Sequence, residues 1–277
     1  MTKKTATATS PDSATATVDQ KTGETFFEAI ASYASVLVVG LFILTFIGQN
    51  FVIPSGSMEH TLMVGDHLLV DRITLSPGHN WFPLAHYREP RRGDIIVFYK
   101  PVPDDVPGRD QPQYEILVKR LIGMPGDHIH LHDGLVYVNG VPYPQVDTAL
   151  DEPPYPSERT FLDEFPLEKP VPEPGNYVTE QWVQEFDSHI QNGDLVVPPG
   201  KYLMMGDNRH RSADSRSWGF VPRENIIGRP LFNYWSFKTP DGELEQPGAG
   251  HQLSWIAHVV LRFFPDTRWS RTLKVVR

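Results

Sequence analysis

The chain has 277 residues, a formal net charge of −9 and an apolar share of 40%, enough for one large domain or two small ones with a real buried core. It has no cysteine, which excludes a disulfide framework, a thiol nucleophile and thiolate metal sites. The acidic balance argues against a nucleic-acid partner, which would select a basic face.

The first segment, "MTKKTATATSPDSATATVDQKTGE", is rich in Thr, Ala and Ser and too polar to bury the surface that ordering requires. Residues 1–28 are therefore expected to form a disordered tail. From Ala29 to Gly48 no charge occurs across 20 residues, long enough as a helix for a hydrocarbon layer of about 30 Å. "GQNFVIP" follows with no A-x-A cleavage pattern, so an uncleaved transmembrane anchor is expected over 29–50. Lys3, Lys4 and Lys21 precede it, and residues 49–71 hold no Lys or Arg. By the positive-inside rule the N-terminus is cytoplasmic and the bulk of the chain lies outside.

Short runs rich in Val, Ile, Leu, Tyr and Phe come next, bounded by Gly, Pro and Asp: "DHLLVDRIT", "GDIIVFYKP", "YEILVKRLIG", "DHIHLHDGLVYVNGVPY", "GKYLMMGD" and "NIIGRPLFNYWSF". They read as strands, with Asn139-Gly140 as a hairpin turn. The spacing of a parallel βαβ sheet is missing, so the expected fold is mostly β, an antiparallel domain over 51–141 and 197–240. Between these parts, residues 142–196 carry twelve acidic residues against two basic ones, Arg159 and Lys169, together with nine prolines. Prolines remove backbone donors, so this segment is read as an insertion or second subdomain with little regular structure. In the tail, 241–277, "SWIAHVVLRFF" has an amphipathic helical pattern too short to span a bilayer. Five basic residues (Arg262, Arg268, Arg271, Lys274, Arg277) stand against one acid, Asp266, from His251 onward. This helix either packs on the β domain or forms a second, peripheral contact with anionic lipid.

Three places carry candidate chemistry. "PSGSM" sets Ser55 and Ser57 around Gly56, just beyond the anchor. Lys119 ends an apolar strand, beside Arg120. "GDNRHRSADSR" spans Gly206–Arg216. A strand-end lysine has a plain reading, with a packed stem and a solvated amine. It has a chemical one too: burial disfavours the charged form, and a neutral amine can serve as general base to a serine. His128, His130 and His132 alternate and so share one strand face, which reads as solvated in preference to metal-binding; no metal and no cofactor are expected. His60 or His210 could supply a Ser–His alternative. "RGD" at 92–94 reads as a turn before a strand.

In that order, and behind an anchor, "PSGSM" (54–58), "RRGDIIVFYKP" (91–101), "KRLIGMPGD" (119–127) and "GDNRHRSADSR" (206–216) resemble the bacterial type I signal peptidases, or leader peptidases. The likeness covers roughly residues 25–240 and is loosest over 142–196. It implies a membrane-bound serine endopeptidase of the inner membrane that removes signal peptides from exported preproteins, cleaving after small residues at −1 and −3. It makes Ser57 the nucleophile and Lys119 the general base. Ser55 would join the Ser57 N–H in the oxyanion hole, and Ser212 would orient the lysine. Arg120, Asp207, Asn208, Asp214 and Arg216 would form the supporting network. An extended substrate added to a strand edge needs shallow apolar pockets, and Ile53, Pro54, Met58, Leu62, Leu117 and Val118 are the candidates to line them. A self-cleaving Ser–Lys repressor would have a helix-turn-helix and no anchor. A membrane-tethered module that only binds partners would have no reason to combine Ser57 with Lys119.

Overall fold

Alternation in "DHLLVD" becomes burial: Asp66, Leu68 and Val70 point inward while His67, Leu69 and Asp71 stay half-exposed. The same period, repeated through short apolar runs, builds the sheets of this chain, seen in a computed structural model that describes residues 26–42, 45, 47–76, 87–101, 114–144, 162–172, 177–240, 242–246 and 248–276. Residues 1–25 of the expected tail, and 145–161 and 173–176 of the expected insertion, lie outside the described residues. The chain divides into two units, residues 1–41 and 42–277.

The described part of the first unit is helix α1 (Phe26–Phe42), 17 residues with no buried side chain. At about 1.5 Å per residue it is shorter than the roughly 30 Å of a hydrocarbon layer. No helix among the described residues is long and apolar enough to cross a membrane. The anchor expected over 29–50 is corrected at its far end. Gly48, Gln49 and Asn50 belong to a strand, because pairing with Asp71, Val70 and Leu69 satisfies their backbone groups.

The second unit contains β1 (Gly48–Val52), β2 (Asp66–Asp71), β3 (Ile95–Tyr99), β4 (Ile116–Gly123), β5 (His128–His132), β6 (Leu135–Val138) and β7 (Val141–Pro142). Helix α2 (Glu180–Phe186) leads to β8 (Ile190–Gln191), β9 (Asp194–Val196) and β10 (Lys201–Met205). After α3 (Ser215–Trp218) come β11 (Val221–Pro222), β12 (Ile226–Ser236), α4 (Ala249–Asp266) and β13 (Lys274–Val275). The larger sheet runs β1-β2-β12-β3-β4-β10-β11, with β13 added on β12. Every pairing is antiparallel. Strand β12 pairs with β3 through its first half and with β2 through its second, and register shifts along it curl the sheet.

A second sheet, β7-β6-β5-β9-β8, corrects the expected domain boundaries. It takes β5 to β7 from the stretch read as catalytic and β8 to β9 from the stretch read as irregular. Its hairpins turn at Asp133-Gly134, Asn139-Gly140 and Asn192-Gly193, all six residues at positive φ, the conformation that two-residue turns demand. The end of the expected insertion is core as well. Phe165, Trp182, Phe186 and Leu195 are fully buried with Ile129 and Leu131, and the rings of Phe165, Trp182 and Phe186 meet edge to face. Burial of each such side chain contributes about 1.5–3 kcal/mol, which outweighs the local discouragement from proline.

The C-terminal helix extends beyond the expected amphipathic run, and the chain then returns to the sheet. Lys274 and Val275 pair with Asn233 and Phe232, and Val276 is buried. Asp66, fully buried, is paired by Arg271 at 2.5 Å and accepts from Ser236 Oγ at 2.5 Å and from the Met63 N–H at 2.9 Å. Arg271 also donates to Thr61 O at 2.9 Å, so the C-terminal segment clamps the loop after β1.

Candidate active site

The chain leaves β1 held by backbone bonds between Ile53 and both Gly65 and Asp66. One turn of 3-10 helix, Gly56–Met58, follows, with Met58 buried beneath it. Ser55 precedes the turn in extended conformation (φ −132°, ψ 157°), exposed, with no capping bond from its hydroxyl. Ser57, in the turn, is half-buried. A Cβ on Gly56 would stand 2.8 Å from the Glu59 carboxyl carbon, the movable end of a flexible side chain.

Lys119 reaches this turn from β4. Its neighbour Arg120 points to the opposite face, as strand alternation requires. Lys119 is 3% exposed, and its Nζ lies 2.5 Å from Ser57 Oγ. Burial pushes the amine down from 10.5 to about 8, against the opposing charges of Asp214, Glu115 and Asp207.

The segment after β10 closes over the pair. The Asn208 N–H donates to Ser57 O at 3.1 Å, and Asn208 Nδ2 reaches Glu59 at 3.4 Å. A Cβ on Gly206 would meet Ser212 Oγ at 2.2 Å and Ser57 O at 2.6 Å, so only glycine lets these groups close together. The expected single ionic network is two. Arg120 grips Asp207 with two bonds of 2.7 Å, while Thr61 Oγ1 donates to the same carboxylate at 2.5 Å, tying β4 to the serine loop. Burial works to lower the Arg120 pKa, but its bonds to Asp207 leave it raised. Arg216 grips Asp214 at 2.9 and 2.8 Å, both fully buried, and the Gly206 N–H donates to Asp214 at 3.0 Å. Burial would raise the Asp214 pKa; Arg216 instead holds it below the usual carboxylate value.

Ser212 differs from expectation. Its hydroxyl is buried beside Gly206 and has no hydrogen-bond partner among the described residues, the lysine amine included. Sequence reasoning missed Arg209, which is 1% exposed and bonded to Gly206 O at 3.0 Å. Burial, then the charge of Arg216, pushes its guanidinium down to about 10.

A cleft of about 360 Å³ opens at Ser57 and Lys119. Ser55, Ile53, Pro54, Met58, Leu117 and Val118 line it, joined by Phe51, Ile116, Tyr177, Ala213 and Trp218. Leu62 does not; it is 1% exposed and packs in the core with Leu68 and Val70, because an apolar loop residue can turn either way. Of the added residues only Trp218 had a sequence cue, an aromatic closing "ADSRSW". Strand β10 pairs with β4 only from Arg120 onward, so among the described residues Ile116–Lys119 are paired on one side, by β3.

The histidines lie elsewhere. His210 Nε2 is 2.8 Å from Asp163. His130 and His132 are 2.8 and 3.0 Å from Asp194 and Glu164. His60 is exposed at φ 76°. No group of three or more His, Asp or Glu suited to a metal occurs among the described residues.

Residues 26–235 match the profile of the family described as "Signal peptidase, peptidase S26". The chain belongs to this family. It is 32% identical over 242 residues to a signal peptidase I of Leptolyngbya laminosa, covering 87% of this chain and 95% of that one. To a probable signal peptidase I-2 of Synechocystis it is 31% identical over 211 residues, 76% and 74% of the two chains. To a signal peptidase I of Rickettsia typhi it is 32% identical over 238 residues, 79% and 83% of the two. The family consists of serine peptidases that remove signal peptides from exported preproteins, and in bacteria it is membrane-associated.

Proposed function

We propose that this signal peptidase cleaves with a Ser57–Lys119 dyad. The observation that carries the reading is the 2.5 Å approach of a buried amine, pushed down to about 8, to a serine hydroxyl. In its neutral form Lys119 Nζ takes the proton of Ser57 Oγ as that oxygen attacks the peptide carbonyl. The oxyanion is received by the Ser55 hydroxyl and by the Ser57 N–H, which opens a 3-10 turn and so has no partner inside it. The lysine ammonium then gives its proton to the leaving amine. In the second half Lys119 takes a proton from water, hydroxide attacks the acyl ester, and Ser57 recovers its proton as the mature protein's signal peptide leaves. Ser212, whose hydroxyl has no hydrogen-bond partner among the described residues, orients the amine during these transfers.

The preprotein binds as an extended strand along the unpaired edge at Ile116–Lys119, facing the wall made by Phe51–Met58. Small residues at −1 and −3 fit the floor formed by Ile53, Met58, Leu117 and Val118. The uncharged run that begins at Ala29 and ends before β1 holds the chain in the inner membrane with the N-terminus cytoplasmic and the site outside, where signal peptides emerge. The test is cleavage of a purified preprotein in detergent by the full chain and by Ser57→Ala. Complete loss at unchanged circular dichroism is expected. Turnover by the alanine variant within tenfold of the unmodified chain, roughly 1.4 kcal/mol of barrier, would reject Ser57.

A further inference from the structure

Helix α4 packs one narrow apolar stripe, Trp255, Val259 and Phe263, against the protein and turns a second apolar stripe away from it. Facing inward, the Trp255 ring meets Phe237 edge-on and stacks on His258, and Phe263 stacks on Trp235. Arg262 bonds Asp266 at 3.0 Å, and His258 lies 3.8 Å from the same carboxylate. On the outer side, Leu253, Ile256, Val260 and Phe264 follow helical spacing along one stripe with Leu261 beside it, and these five are 57–81% exposed. Beyond the helix, Trp269 stacks on Phe264 and remains 54% exposed, and Leu273 is 73% exposed. Monomers in water rarely leave so large an apolar patch uncovered.

We propose that this outer face of α4, extended by Trp269 and Leu273, lies in the interfacial layer of a lipid bilayer and seats the serine loop on the membrane surface. The inference rests on the membrane reading above and adds a second contact to it. It falls outside the family match, which ends at residue 235. A bilayer is the occupant for three reasons. The chain already carries an uncharged, largely apolar run ahead of β1. The face is one convex helix of aliphatic and aromatic groups, the form of an interfacial helix. It is continued by an exposed tryptophan, a residue suited to the membrane–water boundary. The coupling to the active site is direct. Next to α4, Arg268 donates to Val64 O at 2.8 Å and Arg271 to Thr61 O at 2.9 Å, and the Phe237 N–H bonds Gly65 O. All three acceptors lie on the loop that follows Ser57.

The basic residues take a different part from the one the sequence suggested. Arg262, Arg268 and Arg271 are bound to Asp266, backbone carbonyls and Asp66. Apolar burial, not headgroup charge, is therefore the source of affinity. Because the chain has no cysteine, single labels can be placed cleanly. Ile256→Cys, Val260→Cys and, as control, the exposed Gln191→Cys each carry an environment-sensitive fluorophore in the full chain, reconstituted in phosphatidylcholine vesicles with or without nitroxide lipids. The expected result is lipid quenching several-fold stronger at 256 and 260 than at 191, unchanged by added phosphatidylglycerol or by salt. Adding Val260→Asp to Ile256→Cys should remove that difference and slow cleavage of a vesicle-embedded preprotein, with soluble-peptide cleavage unchanged. Equal quenching at all three sites in chains that float with vesicles overturns the docking and spares the anchor. Quenching that needs anionic lipid and fades in salt overturns the apolar account. Self-quenching between copies without lipid quenching assigns the face to a second copy instead. Failure to float with vesicles at all overturns both the anchor and the docking.

Discussion

Replacing Lys119 by methionine keeps the stem and removes an amine that burial makes costly to charge. A fall from 10.5 to about 8 corresponds to about 3 kcal/mol at about 1.4 kcal/mol per unit. The sign follows from linkage: a lysine depressed in the folded state binds fewer protons there than in the unfolded chain. The cost is fully present below about 8 and fades as pH rises toward 10.5, so the stability of the unmodified protein rises with pH across that window. Lys119→Met has no such cost but loses the bond to Ser57, about 1 kcal/mol. It should be about 2 kcal/mol more stable at pH 7, a rise of several degrees in melting temperature, and should lose that advantage by pH 10.5. It should also be inactive toward preprotein at every pH. Melting curves of both full chains at pH 7, 9 and 10.5, with cleavage assays on the same samples, check both halves. Parallel stability curves would show that the amine is not a desolvated one, and measurable turnover by the methionine variant would show that it is not the base.

Ser55→Ala should lower kcat by about 10²–10³ with little change in KM, because the oxyanion exists only along the reaction path; a change in KM alone would make the hydroxyl a ground-state contact. Gly206→Ala puts a Cβ 2.6 Å from Ser57 O and 2.2 Å from Ser212 Oγ. A displacement of about 1 Å at the nucleophile can cost about 10²-fold in rate, and unmodified cleavage rates would contradict the close packing. Arg271→Ala strips the fully buried Asp66 of its charged partner and should cost about 3–5 kcal/mol in urea unfolding; a loss under 1 kcal/mol would mean that Ser236 and the Met63 N–H suffice.

What the sequence revealed follows from the range of the forces involved. Strands β2, β3, β4, β10 and β12 were legible because each is a local apolar run with turn residues at both ends. The groups of the site were legible as motifs, and Ser57 does meet Lys119 across 62 residues. The clamp of Arg271 on Asp66 spans 205 residues, and nothing local marks either member. Strands β8 and β9 were missed because prolines and acids dominated the reading of their neighbourhood, although Asn192-Gly193 was a hairpin signal in plain view. Leu62 was assigned to the cleft because its residue type fits. Which way a loop side chain turns is settled by packing, as the core beneath Leu62 settles it there. Helix α4 was legible as amphipathic, but which stripe faces the protein was not.

The central claim is that Lys119 is neutral enough near physiological pH to act as a base. The most direct measurement is an NMR titration of the full chain in detergent with isotope-labelled lysine side chains, the Lys119 signal being assigned by its absence in Lys119→Met. The account predicts a midpoint near 8, coinciding with the rising limb of cleavage against pH. A midpoint at the ordinary lysine value of about 10.4, with cleavage already at full rate at neutral pH, would contradict it.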